Sequence, residues 1–104
     1  MYTVVETTQF KNQVDQIWNE GDRLAFISFL AQNPLVGDVI PKSNGLRKIR
    51  WQASGRGKRG GARIIYFNLL DDGLIVLLNI YTKNEKENLS SQELKQLKGQ
   101  KDEK

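Results

Sequence analysis

The apolar positions in the first third of the chain predict one short strand followed by two helices. Residues 2–6 are rich in β-branched side chains, which favours a strand. Thr7 or Thr8 is a suitable cap for a helix that ends at Gly21, because the apolar residues after it recur at helical spacing. A second helix ends before Pro34, since the residue that precedes a proline avoids the helical region. The two apolar faces comprise Phe10, Val14, Ile17 and Trp18, and then Leu24, Ile27, Leu30 and Ala31 together with Phe26 and Phe29.

From residue 46 onward the hydrophobic period changes to two, as expected for strands that lie on a core. Residues 46–51 alternate between basic and apolar side chains, and residues 63–70 and 74–82 form two nearly continuous apolar runs. Residues 54–61 form a glycine-rich cationic turn, and the sequence Asp-Asp-Gly at 71–73 is typical of a hairpin turn. The pattern therefore predicts three consecutive antiparallel strands.

The polar C-terminal part of the chain predicts one more short helix. Ser90 and Glu93 have the spacing of a capping box, which favours a helix over residues 91–98. We interpret residues 1–98 as a single domain and residues 99–104 as a flexible tail. The expected fold is α+β: a twisted antiparallel sheet with the N-terminal helical hairpin packed on one face, and a short C-terminal helix.

The strand at 46–51 divides its side chains between two environments. Ile49 and Trp51 should lie under the helical hairpin, whereas Lys48 and Arg50 should face solvent on the opposite side of the sheet. Trp51 is interpreted as a core residue, with stacking on a base as the alternative.

Composition removes several classes of chemistry. The chain of 104 residues contains neither cysteine nor histidine, so thiol nucleophiles, disulfides and the commonest metal ligands are excluded. We expect no metal and no cofactor. The N-terminus has no secretory pattern and no apolar run is long enough to span a bilayer, so the sequence predicts a cytoplasmic protein.

The positive charge is concentrated in the middle of the chain. The net charge is +4, and residues 45–70 contain seven cations and no anion. Such a block repels itself unless an anion relieves it, and a nucleic-acid backbone is the obvious candidate. A basic face that serves only solubility is the alternative.

Four segments together resemble the RelE/ParE toxin superfamily, and the HigB toxins most closely. These segments are residues 33–41 (NPLVGDVIP), 45–51 (GLRKIRW), 57–66 (GKRGGARIIY) and 80–85 (IYTKNE), within a resemblance that runs over residues 33–98. It implies a RelE-like fold and the toxin of a type II toxin–antitoxin system. Such an enzyme is a ribosome-dependent endoribonuclease that cleaves messenger RNA in the decoding site. It is neutralised by a cognate antitoxin, in this branch a HigA-like helix-turn-helix protein.

The resemblance also implies which residues form the site. Family toxins cleave RNA by attack of a ribose 2′-OH on the adjacent phosphate. Lys48 lies two residues from Arg50 on one strand face, and crowding by cations lowers a lysine pKa, so Lys48 suits proton exchange. Arginines suit bidentate phosphate contacts because their charge is permanent. The catalytic candidates are Lys48, Arg50, Arg63, Lys83 and Tyr81, and the RNA-binding candidates are Arg47, Arg56, Lys58 and Arg59.

Two other functions stay open at this point. ParE toxins of the same superfamily poison DNA gyrase, although that activity needs no set of phosphate-cleaving cations. A non-catalytic RNA-binding module would keep the basic face and tolerate Lys48→Ala with a graded loss of binding. Arg63 has a structural alternative as well, which is an ion pair with Asp71 or Asp72.

Overall fold

A computed structural model describes residues 1–52, 61–82, 85 and 88–100 of the chain. Strands and helices follow one another as β1 (Thr3–Glu6), α1 (Thr8–Val14), α2 (Glu20–Gln32), β2 (Asp38–Val39), β3 (Arg47–Trp51), β4 (Ala62–Leu69), β5 (Leu74–Thr82) and α3 (Ser91–Gln100), with a 3-10 turn at Leu70–Asp72 between β4 and β5. None of the helices in these ranges is long and apolar enough to cross a membrane.

The strands form one five-stranded sheet in the order β1-β5-β4-β3-β2. The three strands predicted from the period of two pair antiparallel with their sequence neighbours, and β2 adds a two-residue antiparallel partner to β3. β1 runs parallel to β5, which requires a crossover, and the helical hairpin α1–α2 supplies it. The expected α+β class is thus confirmed, with a sheet that is antiparallel except for the parallel pairing of β1 with β5.

The helical hairpin covers one face of the sheet, as predicted. Phe10 and Val14 of α1 and Phe26 and Leu30 of α2 are buried against Ile49 and the other inward residues of β3, β4 and β5. Trp51 packs on this face, with its ring centroid 5.4 Å from that of Phe26 and 4.9 Å from that of Phe29. Trp51 is therefore a partly buried residue that packs against the edge of this core.

The opposite face of the sheet is partly covered, whereas the sequence predicted that it faces solvent. Leu97 of α3 is 1% exposed and packs with Ile65, Val76 and Leu78, and Leu89 and Leu94 lie against the same cluster. The capping box predicted at Ser90 and Glu93 starts α3: each residue's backbone N–H donates to the other's side chain, at 2.8 and 3.1 Å.

Two details of the helical hairpin differ from the prediction. α1 ends at Val14, and Gly21 lies in the first turn of α2, because the side chain of Asn19 accepts from the backbone N–H of Asp22 at 2.8 Å and caps α2 before the glycine. Leu24 is 54% exposed, because the buried face of α2 is centred on Phe26 and Leu30.

The segment between α2 and β2 is fixed by Tyr66 of β4. The hydroxyl of Tyr66 donates to the carbonyl of Pro34 at 2.8 Å and accepts from the N–H of Gly37 at 2.9 Å. A Cβ at Gly37 would lie 2.8 Å from that hydroxyl, so the close approach requires glycine. Burial raises the pKa of Tyr66, since the interior disfavours a phenolate.

Candidate active site

Three candidate catalytic residues form a continuous row across the sheet. Arg50 of β3 is directly opposite Arg63 of β4, and Arg63 is directly opposite Tyr81 of β5. Directly opposed residues project from the same face, and neighbouring strands are about 4.8 Å apart. We call Arg50, Arg63 and Tyr81 the arginine row.

The members of the row differ in exposure. Arg50 is exposed, whereas Arg63 is 3% exposed and Tyr81 is also 3% exposed. A buried guanidinium competes less with water, so an anion that reaches it is bound more strongly than at the surface. The row therefore combines an outer cation with an inner one. Arg63 lies at the opposite end of β4 from Asp71 and Asp72, which does not fit the ion pair considered above.

Lys48 lies beside the row on the same face of β3. Its Nζ donates to Oδ1 of Asn88 at 2.6 Å, in the segment that leads into α3. Asp38 of β2 is directly opposite Lys48 in the sheet. In the sheet, Lys48 thus has Asp38 of β2 as its cross-strand neighbour and Arg50 two residues further along β3.

A cavity of about 300 Å³ opens at Lys48. Asp38, Lys48, Tyr81 and Asn88 supply its polar groups, and Ile65, Leu89 and Leu94 are among its apolar walls. A volume near the lower end of the range for small-molecule sites, with few polar groups in an apolar lining, is typical of a site that accepts part of a ligand. The cavity exists because α3 docks on this face.

A second depression runs along the edge of β3. β2 pairs only with residues 47 and 48 of β3, and beyond that pairing a groove of about 610 Å³ is lined by Lys48, Arg50 and Trp51 together with Phe29 and Val36. Lys48 lines both the groove and the smaller cavity. An extended anionic chain in the groove would pass both basic side chains.

The arrangement supplies the groups that phosphodiester cleavage requires. Arg50 and Arg63 are suited to hold the non-bridging oxygens of one phosphate, since two guanidinium groups present parallel N–H donors. Lys48 and Tyr81 carry exchangeable protons, and Asp38 adds a carboxylate to the lining of the same cavity. These residues can bind an anion and transfer protons beside it without a histidine.

Arg47 is separated from this group. It is the alternate residue of β3 and projects from the opposite face, where its guanidinium donates to the carbonyls of Gly37 at 2.6 Å and Leu35 at 3.4 Å. Arg47 supports the same segment that Tyr66 holds. The structure does not bring it together with the arginine row.

Four candidates lie outside the described residues. Arg56, Lys58 and Arg59 belong to residues 53–60, which connect β3 to β4, and Lys83 follows Thr82, the last residue of β5. Their roles stay predictions.

The structure also brings two residues to the site that the sequence reasoning missed. Asp38 lies within a segment already noted for its resemblance, but its pairing with Lys48 depends on the short strand β2, which has no hydrophobic pattern of its own. Asn88 lies 40 residues from Lys48 in the chain and reaches it only because α3 folds back on the sheet. No local sequence signal reports that contact.

Comparison with known proteins supports the fold. No family model matches the chain. Among solved structures, a double-mutant form of the E. coli toxin RelE in its free state matches with a TM-score of 0.60, over 95% of this chain and 92% of that one, at 9% sequence identity. The chain therefore has the fold of the toxin RelE.

Proposed function

We propose that this protein is a toxin of a type II toxin–antitoxin system that cuts messenger RNA on the ribosome. The observation that carries the proposal is the direct opposition of Arg50 and Arg63 on one sheet face, with Tyr81 next in the row. A phosphate bound between them would be contacted by two guanidinium groups, and charge-assisted contacts of this kind are among the stronger hydrogen bonds. The RelE-like fold and the HigB-like segments of the sequence support the same reading.

Each residue has a distinct role in the proposed reaction. Arg50 and Arg63 bind the scissile phosphate and stabilise the charge that develops as the 2′-oxygen attacks it. Lys48, as the neutral amine, takes the proton of the attacking 2′-OH and becomes an ammonium, while Tyr81 gives its phenolic proton to the leaving 5′-oxygen. Lys83, which follows Thr82 in the sequence, is proposed to add a further cation to the site, and this role rests on the family resemblance.

The proposed partners follow from the same chemistry. Messenger RNA in the ribosomal decoding site is the substrate, and the cations Arg56, Lys58 and Arg59 are proposed to contact RNA. A cognate antitoxin, a HigA-like helix-turn-helix protein, is proposed to keep the toxin silent. We propose a cytoplasmic location because the substrate is there.

Cell-free translation of a defined messenger RNA tests the proposal. The reactions contain wild-type protein, Arg63→Ala, or the surface control Lys11→Ala, which removes an exposed cation on α1. A fourth reaction contains RNA and wild-type protein but no ribosomes. We expect fragments from wild type and from Lys11→Ala only when ribosomes are present, and a loss of about 10²–10³-fold in cleavage rate for Arg63→Ala.

Other results would assign a different function. Intact RNA and unimpeded translation would refute the ribonuclease, and inhibition of gyrase supercoiling would then identify a gyrase poison. RNA binding that falls gradually in Lys48→Ala, without cleavage by wild type, would identify a binding module. Because Arg63 is buried, the fold of Arg63→Ala is checked by circular dichroism, and Arg50→Gln, at an exposed position, serves as the second variant.

A further inference from the structure

A separate cavity lies at the Tyr81 end of the arginine row. It has a volume of about 520 Å³ and is enclosed by α1, by the last residues of β5 and by the start of α3. Tyr81 lines this cavity as well as the smaller one at Lys48. The cavity is thus the next feature that a ligand would meet beyond the row.

Carboxamide side chains form the α1 side of this cavity. Gln9, Asn12 and Gln13 are spaced i, i+3 and i+4, which places them on one face of α1, and Gln16, in the turn after α1, also lines the cavity. α1 contributes no charged side chain to the lining. We call this cavity the amide pocket.

The β5 side of the amide pocket adds another carboxamide. The register of β4 and β5 shifts between Ile65 and Tyr66, and Asn79 follows that irregularity. Asn79 is 7% exposed, and its Oδ1 is buried without a hydrogen-bond partner among the described residues. A buried carboxamide with an unused acceptor is costly unless a ligand or water satisfies it.

Gln13 also makes a hydrogen bond to the backbone of β5. Its Oε1 accepts from the backbone N–H of Ile80 at 3.0 Å, beyond the point where β1 stops pairing with β5. That bond fixes the position of the Gln13 carboxamide at the wall of the pocket. Asn12 and Gln16 are exposed, so their carboxamides are accessible to a ligand.

Two carboxylates lie at the border of the amide pocket. Glu85 accepts from the N–H and hydroxyl of Thr82 at 2.8 and 3.2 Å, and Glu93 accepts from the N–H of Ser90 at 2.8 Å. Negative charge here repels phosphate, in contrast to the arginine row. Carboxylate oxygens favour ligands that present N–H groups.

We infer that the amide pocket binds one base of the RNA strand whose phosphate lies on the arginine row. This inference rests on the proposed function and adds a base-reading subsite to it. A carboxamide presents a donor beside an acceptor and so pairs with the edge of a base, while a carboxylate accepts from an exocyclic amino group. Single-stranded RNA is read by such contacts to unstacked bases. Bases with an exocyclic amino group fit the pocket, and uracil, which has none, fits it worst.

Nucleoside binding to the full chain tests the pocket without the ribosome. Adenosine, cytidine, guanosine and uridine are titrated separately, and the side-chain amide signals are followed by NMR. The test variant is Asn12→Ala with Gln16→Ala, which spares the Gln13 bond. The control is Gln92→Ala, an exposed carboxamide on α3. Each lost hydrogen bond should weaken binding roughly 5-fold, so we expect a Kd roughly 25-fold higher in the double variant.

Several results of this titration would overturn the inference. One is that none of the four nucleosides binds saturably. Another is that uridine binds as tightly as the other three, and a third is that wild type and the double variant bind the nucleosides equally. Tighter binding of the amino-bearing nucleosides that is lost in the double variant and kept in Gln92→Ala would support it.

Mapping of ribosome-dependent cut sites separates this inference from the proposed function. We expect wild type to favour certain bases at one fixed position beside the cut, the double variant to lose that preference, and Gln92→Ala to keep both the preference and the cleavage rate of wild type. If nucleosides bind but wild type cuts no RNA, the ribonuclease proposal fails and base binding stands. If the double variant selects the same cut sites as wild type, the base-reading role fails alone.

Discussion

Removing the hydroxyl of Tyr66 should destabilise the protein through one specific atom. Tyr66→Phe keeps the ring, which is fully buried, and deletes the oxygen that joins β4 to the segment before β2. Of the two groups that this oxygen satisfies, the carbonyl of Pro34 also accepts from Nδ2 of Asn68 at 2.9 Å. The buried N–H of Gly37 is therefore the group that loses its acceptor.

The loss of stability in Tyr66→Phe is set by the one N–H group, that of Gly37, that loses its acceptor. A buried donor left without an acceptor costs about 1–3 kcal/mol, and the loss of the second, partly redundant bond adds little. In a domain of this size, each kcal/mol lowers Tm by roughly 4–8 °C. The control is Tyr2→Phe, whose ring packs against the edge of the same core. That substitution should change the free energy of unfolding by less than about 0.5 kcal/mol.

The alkaline pH dependence supplies an independent check with a fixed sign. Because burial raises the pKa of Tyr66 above 10.0, the unfolded state ionises first as pH rises. The contribution of Tyr66 is therefore fully present below pH 10.0 and is lost as pH rises through the folded-state pKa. Tyr66→Phe lacks this ionisation. The difference in free energy of unfolding between wild type and Tyr66→Phe should therefore become smaller as the pH rises above 10.0.

Urea unfolding followed by tryptophan fluorescence, at intervals from about pH 8 to 11, measures the cost of Tyr66→Phe near neutral pH and its change at alkaline pH. A stability difference that stays constant or widens at high pH would refute the role assigned to burial. A cost below about 0.5 kcal/mol at neutral pH, equal to that of Tyr2→Phe, would refute the role assigned to Gly37.

Two further substitutions test the sheet at the candidate site. Arg50→Gln should lower the rate of RNA cleavage about 10²–10³-fold. It should leave the free energy of unfolding unchanged or raise it by about 0.2–1 kcal/mol, because Arg50 directly opposes Arg63. A clear loss of stability in urea unfolding would contradict this expectation. Gly61→Ala should cost about 1–3 kcal/mol, since Gly61 has φ +76° and an added Cβ would lie 2.7 Å from the carbonyl oxygen of Trp51. Gly99→Ala, in the open on α3, should instead stabilise by about 0.5–1 kcal/mol, and thermal unfolding compares the two.

The parts of the fold that depend on local chemistry were predictable from the sequence. The alternation in β3 assigned Ile49 to the core and Arg50 to the opposite face, and the chain shows both. The capping box at Ser90 and Glu93 marked the start of α3 correctly, because its hydrogen bonds connect residues only three apart.

What the sequence did not predict depends on contacts between distant segments. The apolar residues of α3 gave no indication of where the helix docks, so the cover over the second sheet face was missed. The same docking brings Asn88 to Lys48, and the short β2 brings Asp38. The amide pocket is of this kind too, since α1 reads as an ordinary amphipathic helix until β5 places Asn79 opposite its polar face.

The burial of Arg63 fits the proposed RNA site better than a basic face that serves only solubility. Exposed cations such as Arg50 fit either reading, because charge in water favours solubility at little cost. Arg63 is 3% exposed, and a buried guanidinium adds little to solubility while its desolvation costs free energy. Placing it directly opposite a second arginine adds repulsion that an apolar side chain would avoid. Departures from stability rules of this kind are expected where a protein binds its substrate, and this one lies between the Lys48 cavity and the amide pocket.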